Sequence, residues 1–311
     1  MSKHAHIADL IASGYSDEEI CASPCKWKIR IQDVRWNRRH YNRTTDNASR
    51  TRTPTSEPQD TESADARRER ISRQYRTLER MATRIISGQL PSLIVSGPPG
   101  LGKTYTVEQQ LKEADTEVDI IRGTISASGL YMALYWMRDG GVVVMDDCDA
   151  VFRDEETLNI LKIALDSSDV RTISWRKQAA WLDNHDIPQS FEFTGSVVFC
   201  TNLDFEAEIN RGSKMSPHYQ ALVDRSLYLS LTLRSIADYL CRIEQVVIEE
   251  KQFEQRGLTA EEAKHTMNFI RDNAAKFYTL SIRSALQVAA CRLMDPEYWI
   301  DDVLATKMRT L

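Results

Sequence analysis

The sequence predicts an α/β fold: a three-layer α/β/α nucleotide domain, a helical segment after it and a small basic helical module before it. Three observations carry this. Gly97-Pro98-Pro99-Gly100-Leu101-Gly102-Lys103-Thr104 stands between the apolar run Leu93-Ile94-Val95 and a helical stretch, the strand–loop–helix context of a phosphate-binding loop. From there to about residue 233, apolar strands alternate with helices, the pattern of a parallel sheet covered on both faces. From Ser235 onward the pattern is helical only. The expected boundaries are 1–43 for the module, 44–66 for a flexible linker, 67–233 for the nucleotide domain and 234–311 for the helical domain.

In chain order, residues 6–13 carry Ile7, Leu10 and Ile11 at helical spacing, and Gly14 ends them. Ser16-Asp-Glu-Glu is a capping box for a second helix to about Ala22. A basic stretch follows Pro24. Between Lys26 and Arg52 there are nine Lys or Arg against Asp33 and Asp46, with Trp27, Trp36 and Tyr41 interleaved. Two short helices, a glycine break and a basic helix outline a helix-turn-helix module, with Arg35, Arg38 and Arg39 as candidate DNA contacts. The other reading is a basic helix docked on an acidic surface or on a protein partner of residues 1–43. His4, His6, Cys21 and Cys25 are a weak zinc candidate, because their spacing fits no common finger. Residues 44–65 are rich in Thr, Ser, Pro and charge, as a linker is. Ile71, Tyr75, Leu78, Met81, Ala82 and Ile85 then mark a helix over 66–87.

Strands are expected at 118–121, 142–145, 196–200 and 227–233, and helices at 105–114, 129–137 and 155–165. Arg171 to Trp175 and Ser190 to Thr194 both alternate, so they read as a β-hairpin. Its Trp175, Arg176, Lys177 and Trp181 are either a cationic, stacking surface for a single strand or part of a surface hairpin with half-buried tryptophans. Four helices follow at about 235–252, 259–276, 282–294 and 296–308.

Composition excludes some classes. Hydrophobic residues are 42% and charged residues 27% of 311, as in an ordinary soluble protein. A net charge of −5 announces no nucleic-acid partner by itself. The six cysteines are scattered, several within apolar runs, so reduced and buried thiols are expected. No run approaches ~20 apolar residues, so no membrane partner is expected, and MSKHAHIADL lacks a signal peptide's apolar core. A cytoplasmic protein is expected.

The chemistry gathers on a few residues. The glycines let backbone N–H groups wrap a polyphosphate, Lys103 reaches its phosphates and Thr104 offers a hydroxyl to Mg²⁺. Asp146 closes an apolar strand, where a carboxylate meets the Mg²⁺ shell. Asp147 points the other way and could polarise a water, or one of the two acids caps the next helix. Asn202 is delivered by a strand to the carboxyl edge of the sheet. Arg225 lies just ahead of the last strand. Arg283 falls in the first turn of a helix capped by Ser281, where a cation opposes the helix dipole and an anionic ligand would compensate.

These motifs, in this order, resemble the AAA+ ATPases over about residues 67–311. The Walker A element matches Gly97 to Thr104, Walker B Val142 to Asp147, sensor 1 Asn202, the arginine finger Arg225 and sensor 2 Arg283. The resemblance implies ATP and Mg²⁺ as cofactors, ATP hydrolysis, a helical lid and a homo-oligomeric ring, usually a hexamer, in which Arg225 acts on the neighbour's nucleotide. Asp146-Asp147 departs from the family's Asp-Glu pair and is similar to superfamily III helicases of viruses and plasmids. Such helicases often carry a DNA-facing hairpin before sensor 1, which adds DNA as a partner, in a bacterial or phage-infected cytoplasm. The loop Arg122 to Gly129 lacks an aromatic gripping motif, which disfavours a protein unfoldase. A loader of a protein partner such as a helicase, and a slowly hydrolysing nucleotide switch, are the rival readings.

Overall fold

A computed structural model describes residues 10, 13, 15–22, 34, 62–112, 114 and 116–309. The chain forms two compact units, 1–61 and 62–311. In the first, helix α1 (Asp17–Ala22) buries Ile20 completely. The expected helix over 6–13, the basic helix with Arg35, Arg38 and Arg39, and the linker up to residue 61 lie outside the described residues.

The second unit begins with α2 (Ala64–Ile86). Ser63 caps it by accepting from the Ala66 amide at 3.2 Å. Its buried residues Ile71, Tyr75, Leu78, Ala82 and Ile85 repeat at three and four and so share one face. Gly88, at φ +69°, ends the helix as a left-handed residue. Then come β1 (Ser92–Ser96), α3 (Lys103–Lys112), β2 (Val118–Arg122), α4 (Ala127–Trp136), β3 (Val142–Asp146) and α5 (Glu155–Ala164). The hairpin strands β4 (Arg171–Ser174) and β5 (Ser190–Phe193) flank a short α6 (Ala180–Asn184). β6 (Ser196–Thr201), α7 (Phe205–Asn210), α8 (Ser216–Arg225) and β7 (Leu227–Ser230) complete the α/β part.

The main sheet is parallel throughout, in the order β2-β3-β6-β1-β7. The period of two sends Val143, Val197 and Phe199 to one face, against Leu130, Leu134, Leu158 and Leu161 of α4 and α5. It sends Val142, Val144 and Val198 to the other face, against Ile71, Leu78 and Val107 of α2 and α3. This is the three-layer α/β/α fold that the sequence predicts. The hairpin forms as expected: β4 and β5 pair antiparallel as a separate two-stranded sheet. Buried Arg171 ties it down, donating to the carbonyls of Ala164 (2.8 Å), Phe193 (3.2 Å) and Gly195 (2.6 Å).

Helices α9 (Ile236–Glu244), α10 (Gln252–Gln255), α11 (Ala260–Asp272), α12 (Ile282–Met294) and α13 (Trp299–Lys307) pack round their own core, which includes Ile243, Phe253, Met267, Val288 and Trp299. The helix expected over 235–252 stays helical to residue 249 but changes type after α9. A π-helical turn, Gln245–Glu249, follows α9, and Lys251 takes φ +57°. Helices α7 and α8 carry no clear sequence signal. α7 is six residues long and α8 has Pro217 in its first turn, yet Phe205, Tyr219 and Leu222 pin both to the core.

Candidate nucleotide site

The carboxyl edge of the sheet builds the site through strand register. Ser96 pairs with Thr201, and Asp146 with Cys200 and Arg122, so the loop after β1, the end of β3 and the residue after β6 lie side by side. Gly97 is required by packing: a Cβ there would lie 2.9 Å from the Leu231 carbonyl oxygen. Gly100, at φ +72°, is left-handed, and a Cβ there would lie 3.0 Å from the Ser281 Cβ. Pro98 and Pro99 stand between them, and Leu101, which follows Gly100, is buried.

Lys103 is 7% exposed, and burial pushes its ammonium below the ordinary lysine range. Its Nζ donates to the carbonyls of Gly97 (2.7 Å) and Pro98 (2.9 Å) and to Asn202 Oδ1 (2.9 Å). Asn202 Nδ2 donates in turn to Asp147 Oδ1 at 2.8 Å. Asp147 sits at φ +52°, a left-handed conformation that Asp tolerates, and its amide donates to the Cys200 carbonyl at 3.0 Å. Thr104 Oγ1 donates to Asp146 Oδ1 at 2.5 Å, while Asp146 Oδ2 lies 3.5 Å from Arg122 Nε. Arg122, which the sequence did not mark, also pairs with Glu108.

A cavity of about 920 Å³ runs from this edge to the helical domain. Lys103, Thr104, Asp146, Asp147, Asn202 and Arg283 all line it. Arg283 is exposed in the first turn of α12 and carries no ion pair among the described residues; the Ser281 cap and the Ile282 amide, donating to the Gly100 carbonyl at 2.9 Å, fix its helix against the loop. Tyr75 and Arg242, for which sequence periodicity shows only a helix position, also line the cavity. Tyr75 donates to the Leu101 carbonyl at 2.7 Å, and the Arg242 guanidinium lies 3.6 Å from its ring centroid.

Arg225 is not brought to this cavity. It ends α8 at the amino edge of the sheet, where Ser92 Oγ donates to its carbonyl at 3.2 Å. The length of β1, roughly 13 Å at ~3.3 Å per residue, separates that edge from the loop. Its Nη1 donates to the Ala221 carbonyl at 3.0 Å, and Nε is 3.7 Å from Asp166.

At the hairpin, Trp175 and Trp181 meet edge-to-face (5.2 Å), and each meets Tyr131 (5.7 and 5.8 Å). Both indoles are half-buried against the core. Lys177 pairs with Glu156 at 2.8 Å, and Arg176 is exposed. Among the described residues no group of three or more His, Cys, Asp or Glu side chains is placed to hold a metal ion, and no helix is long and apolar enough to cross a membrane.

No protein-family model matches the chain. Among solved structures, it is similar to a mutant form of Thermotoga maritima RuvB (14% identity, 76% of this chain and 70% of that one, TM-score 0.44). It is also similar to NtrX from Brucella abortus in complex with ATP (14% identity, 86% and 60%, TM-score 0.48). An uncharacterized 36.7 kDa protein from the nrdC-mobD intergenic region of Enterobacteria phage T4 is 36% identical over 243 residues, 76% of this chain and 74% of that protein. The chain belongs to the same family as this phage T4 protein.

Proposed function

We propose that the chain is a Mg²⁺-dependent ATPase that works as a ring, six copies by resemblance, and acts on DNA in replication or recombination. The observation that carries the ATPase reading is the Lys103–Asn202–Asp147 chain beside the Thr104–Asp146 pair, on one cavity with Arg283. The residues fit the cofactors. A hydroxyl and a carboxylate 2.5 Å apart are the hard oxygen donors that Mg²⁺ takes. The loop and the amino end of α3 offer amides to phosphate. The cavity's 920 Å³ lies within the usual size of a ligand pocket.

The residue roles follow from these contacts. Lys103 gives up its loop carbonyls to hold phosphate. Thr104 and Asp146 hold Mg²⁺, which when bound neutralises charge on the phosphates. Asn202 orients a water, and Asp147 accepts its proton. Arg283 meets the terminal phosphate. Arg225, at the far edge, is out of reach of its own site and serves the neighbour's, which supports a ring.

The DNA reading rests on exposed Arg176 of the hairpin, on Lys177 and on the basic stretch with Arg35, Arg38 and Arg39. With Trp175 half-buried edge-on against Tyr131, charge would dominate over stacking in that contact. A slowly hydrolysing switch is the second reading, favoured by Asp147: it is a methylene shorter than Glu and already bonded to Asn202.

The test is steady-state ATP hydrolysis with and without single- and double-stranded DNA, beside Lys103→Ala. Turnover that DNA raises, and that Lys103→Ala abolishes, supports the proposal. Turnover indifferent to DNA removes the DNA role and directs the search to a protein partner of residues 1–43. Binding without turnover leaves the switch.

A further inference from the structure

We propose that Arg242 is a second nucleotide-binding cation of the helical domain, and that it binds a phosphate oxygen present in both ATP and ADP. This rests on the nucleotide reading above.

Arg242 is 7% exposed on α9. A guanidinium brings five N–H donors into the protein and requires acceptors for them. Here they are scarce. Nε is buried with no partner among the described residues. Nη1 has only Gln245 Oε1 at 3.4 Å and Glu250 Oε1 at 3.5 Å, both at the outer limit of a hydrogen bond. The Glu250 side chain is 47% exposed, so water screens its charge. Beyond these, the guanidinium meets the Tyr75 hydroxyl, which itself donates to the Leu101 carbonyl.

The position of the group explains what is missing. One face of the guanidinium lies on the Tyr75 ring, whose hydroxyl is tied to the Leu101 carbonyl of the phosphate loop. The stack holds Nη2 3.7 Å from the point that a Cβ on Gly102 would occupy. An incompletely satisfied cation is therefore fixed against the backbone that cradles phosphate, on the wall of the same cavity. The π-helical turn Gln245–Glu249 begins three residues later, and such turns collect at functional sites. The natural acceptor is a phosphate oxygen. None of the neighbours of Arg242 is Asp146, Asp147 or Asn202, the residues assigned to the metal and the reacting end. Its phosphate is therefore one that ADP retains. Arg283, on α12, reads the terminal phosphate, whereas Arg242 couples the helical domain to occupancy by either nucleotide.

The experiment titrates the full chain with fluorescent N-methylanthraniloyl derivatives of ATP and ADP. It compares wild type, Arg242→Met, Arg242→Lys, Arg283→Ala and Lys103→Ala, with a melting curve of each in the absence of nucleotide. Arg242→Met is expected to weaken both nucleotides equally, by at least about tenfold, because a charge-assisted contact is lost. Arg242→Lys should recover part of that loss. Arg283→Ala should weaken ATP more than ADP. Without nucleotide, Arg242→Met should melt no lower than wild type, since it removes a poorly paired buried charge. Wild-type affinity of the folded Arg242→Met protein for both nucleotides would reduce Arg242 to a structural role. Loss of ATP binding alone would assign it to the terminal phosphate; either result overturns the proposal. If Arg242→Met does not fold, equal affinities of Arg242→Lys and wild type overturn it, and an equal weakening of both nucleotides supports it. A wild-type chain that binds neither nucleotide, as Lys103→Ala does, refutes the nucleotide reading itself and this inference with it.

Discussion

Asp147 concentrates the open chemistry of the site in one side chain. It is left-handed, hydrogen-bonded to Asn202 and one methylene short of the glutamate found at this place in the resembling family. A displacement of about 1 Å in a reacting group can cost 10²-fold in rate. Asp147→Glu is therefore expected to raise ATP turnover roughly tenfold while ATP affinity holds, measured by steady-state hydrolysis and equilibrium binding. A non-glycine residue without Asp's local hydrogen bonds costs about 1 kcal/mol at positive φ, so a small fall in Tm should accompany the gain. A turnover that drops would mean that the shorter acid already sits where the water needs it. Burial also sets the thiols apart. Cys148 is pushed up to about 11 and Cys200 to about 12, from an ordinary value of 9.0, with desolvation as the main cause. Both stay protonated at pH 8, so iodoacetamide should modify them much more slowly than the partly exposed Cys241 and Cys291, which peptide mass spectrometry would resolve. The unfolded thiols ionise near 9 and the folded ones do not, so this contribution to stability is intact below pH 9 and is lost as pH rises toward 12.

At the scale of elements, α12 carries Arg283 and is aligned by its own cap. Ser281 and Ser284 exchange hydrogen bonds in a capping box, and Ile282 ties the helix to Gly100. Ser281→Ala should cost about 1 kcal/mol and weaken ATP binding more than ADP binding, through the misplaced Arg283. Calorimetric melting and nucleotide titration check the two effects separately. This helix start was legible in the sequence, because a cap, a first turn and a cation within it are local features. The strands were legible for the same reason: Val142 to Met145 and Val197 to Cys200 are apolar runs that nothing but a sheet interior would take. Helices α7 and α8 were not legible. Their positions come from Phe205, Tyr219 and Leu222 meeting a core built by residues distant in sequence. The π-helical turn inside the helix expected over 235–252 was not legible either, and Val246 and Val247 within it are buried in the core of the helical domain.

For the whole molecule, the joint between α2 and the helical domain is an ionic cluster. Asp238, 1% exposed, accepts from Arg70 at 2.7 Å and from the Arg234 amide at 2.7 Å, and lies 3.2 Å from Arg67. Asp238→Ala removes the buried acceptor that Arg70 and the Arg234 amide share and should destabilise the fold by about 3 kcal/mol, read by chemical denaturation. Arg225 belongs to a larger scale still. If it serves a neighbour's site, Arg225→Ala should keep ATP affinity and lose ~10³-fold in turnover. Mixing it with Lys103→Ala copies, which supply an intact Arg225 but cannot use their own site, should restore part of the activity. An inactive mixture would place Arg225 outside the reaction.

Local chemistry in the sequence was enough to determine the glycine loop after β1, the acids that close the third strand, the strand-end Asn202, the capped helix with Arg283, the hairpin and the α/β/α order. Each is written in contiguous residues, where a period of two or 3.6, a glycine or a cap has one structural meaning. Tertiary structure alone decided which of these meet. Parallel register set Lys103, Asn202 and Asp147 in one chain of hydrogen bonds and put Arg225 at the opposite edge of the sheet. It turned Trp175 and Trp181 onto Tyr131, and it buried Arg242 on Tyr75 beside Gly102. Such contacts join residues up to 167 positions apart, as Tyr75 and Arg242 are, and no local pattern encodes them because packing of whole layers brings them together.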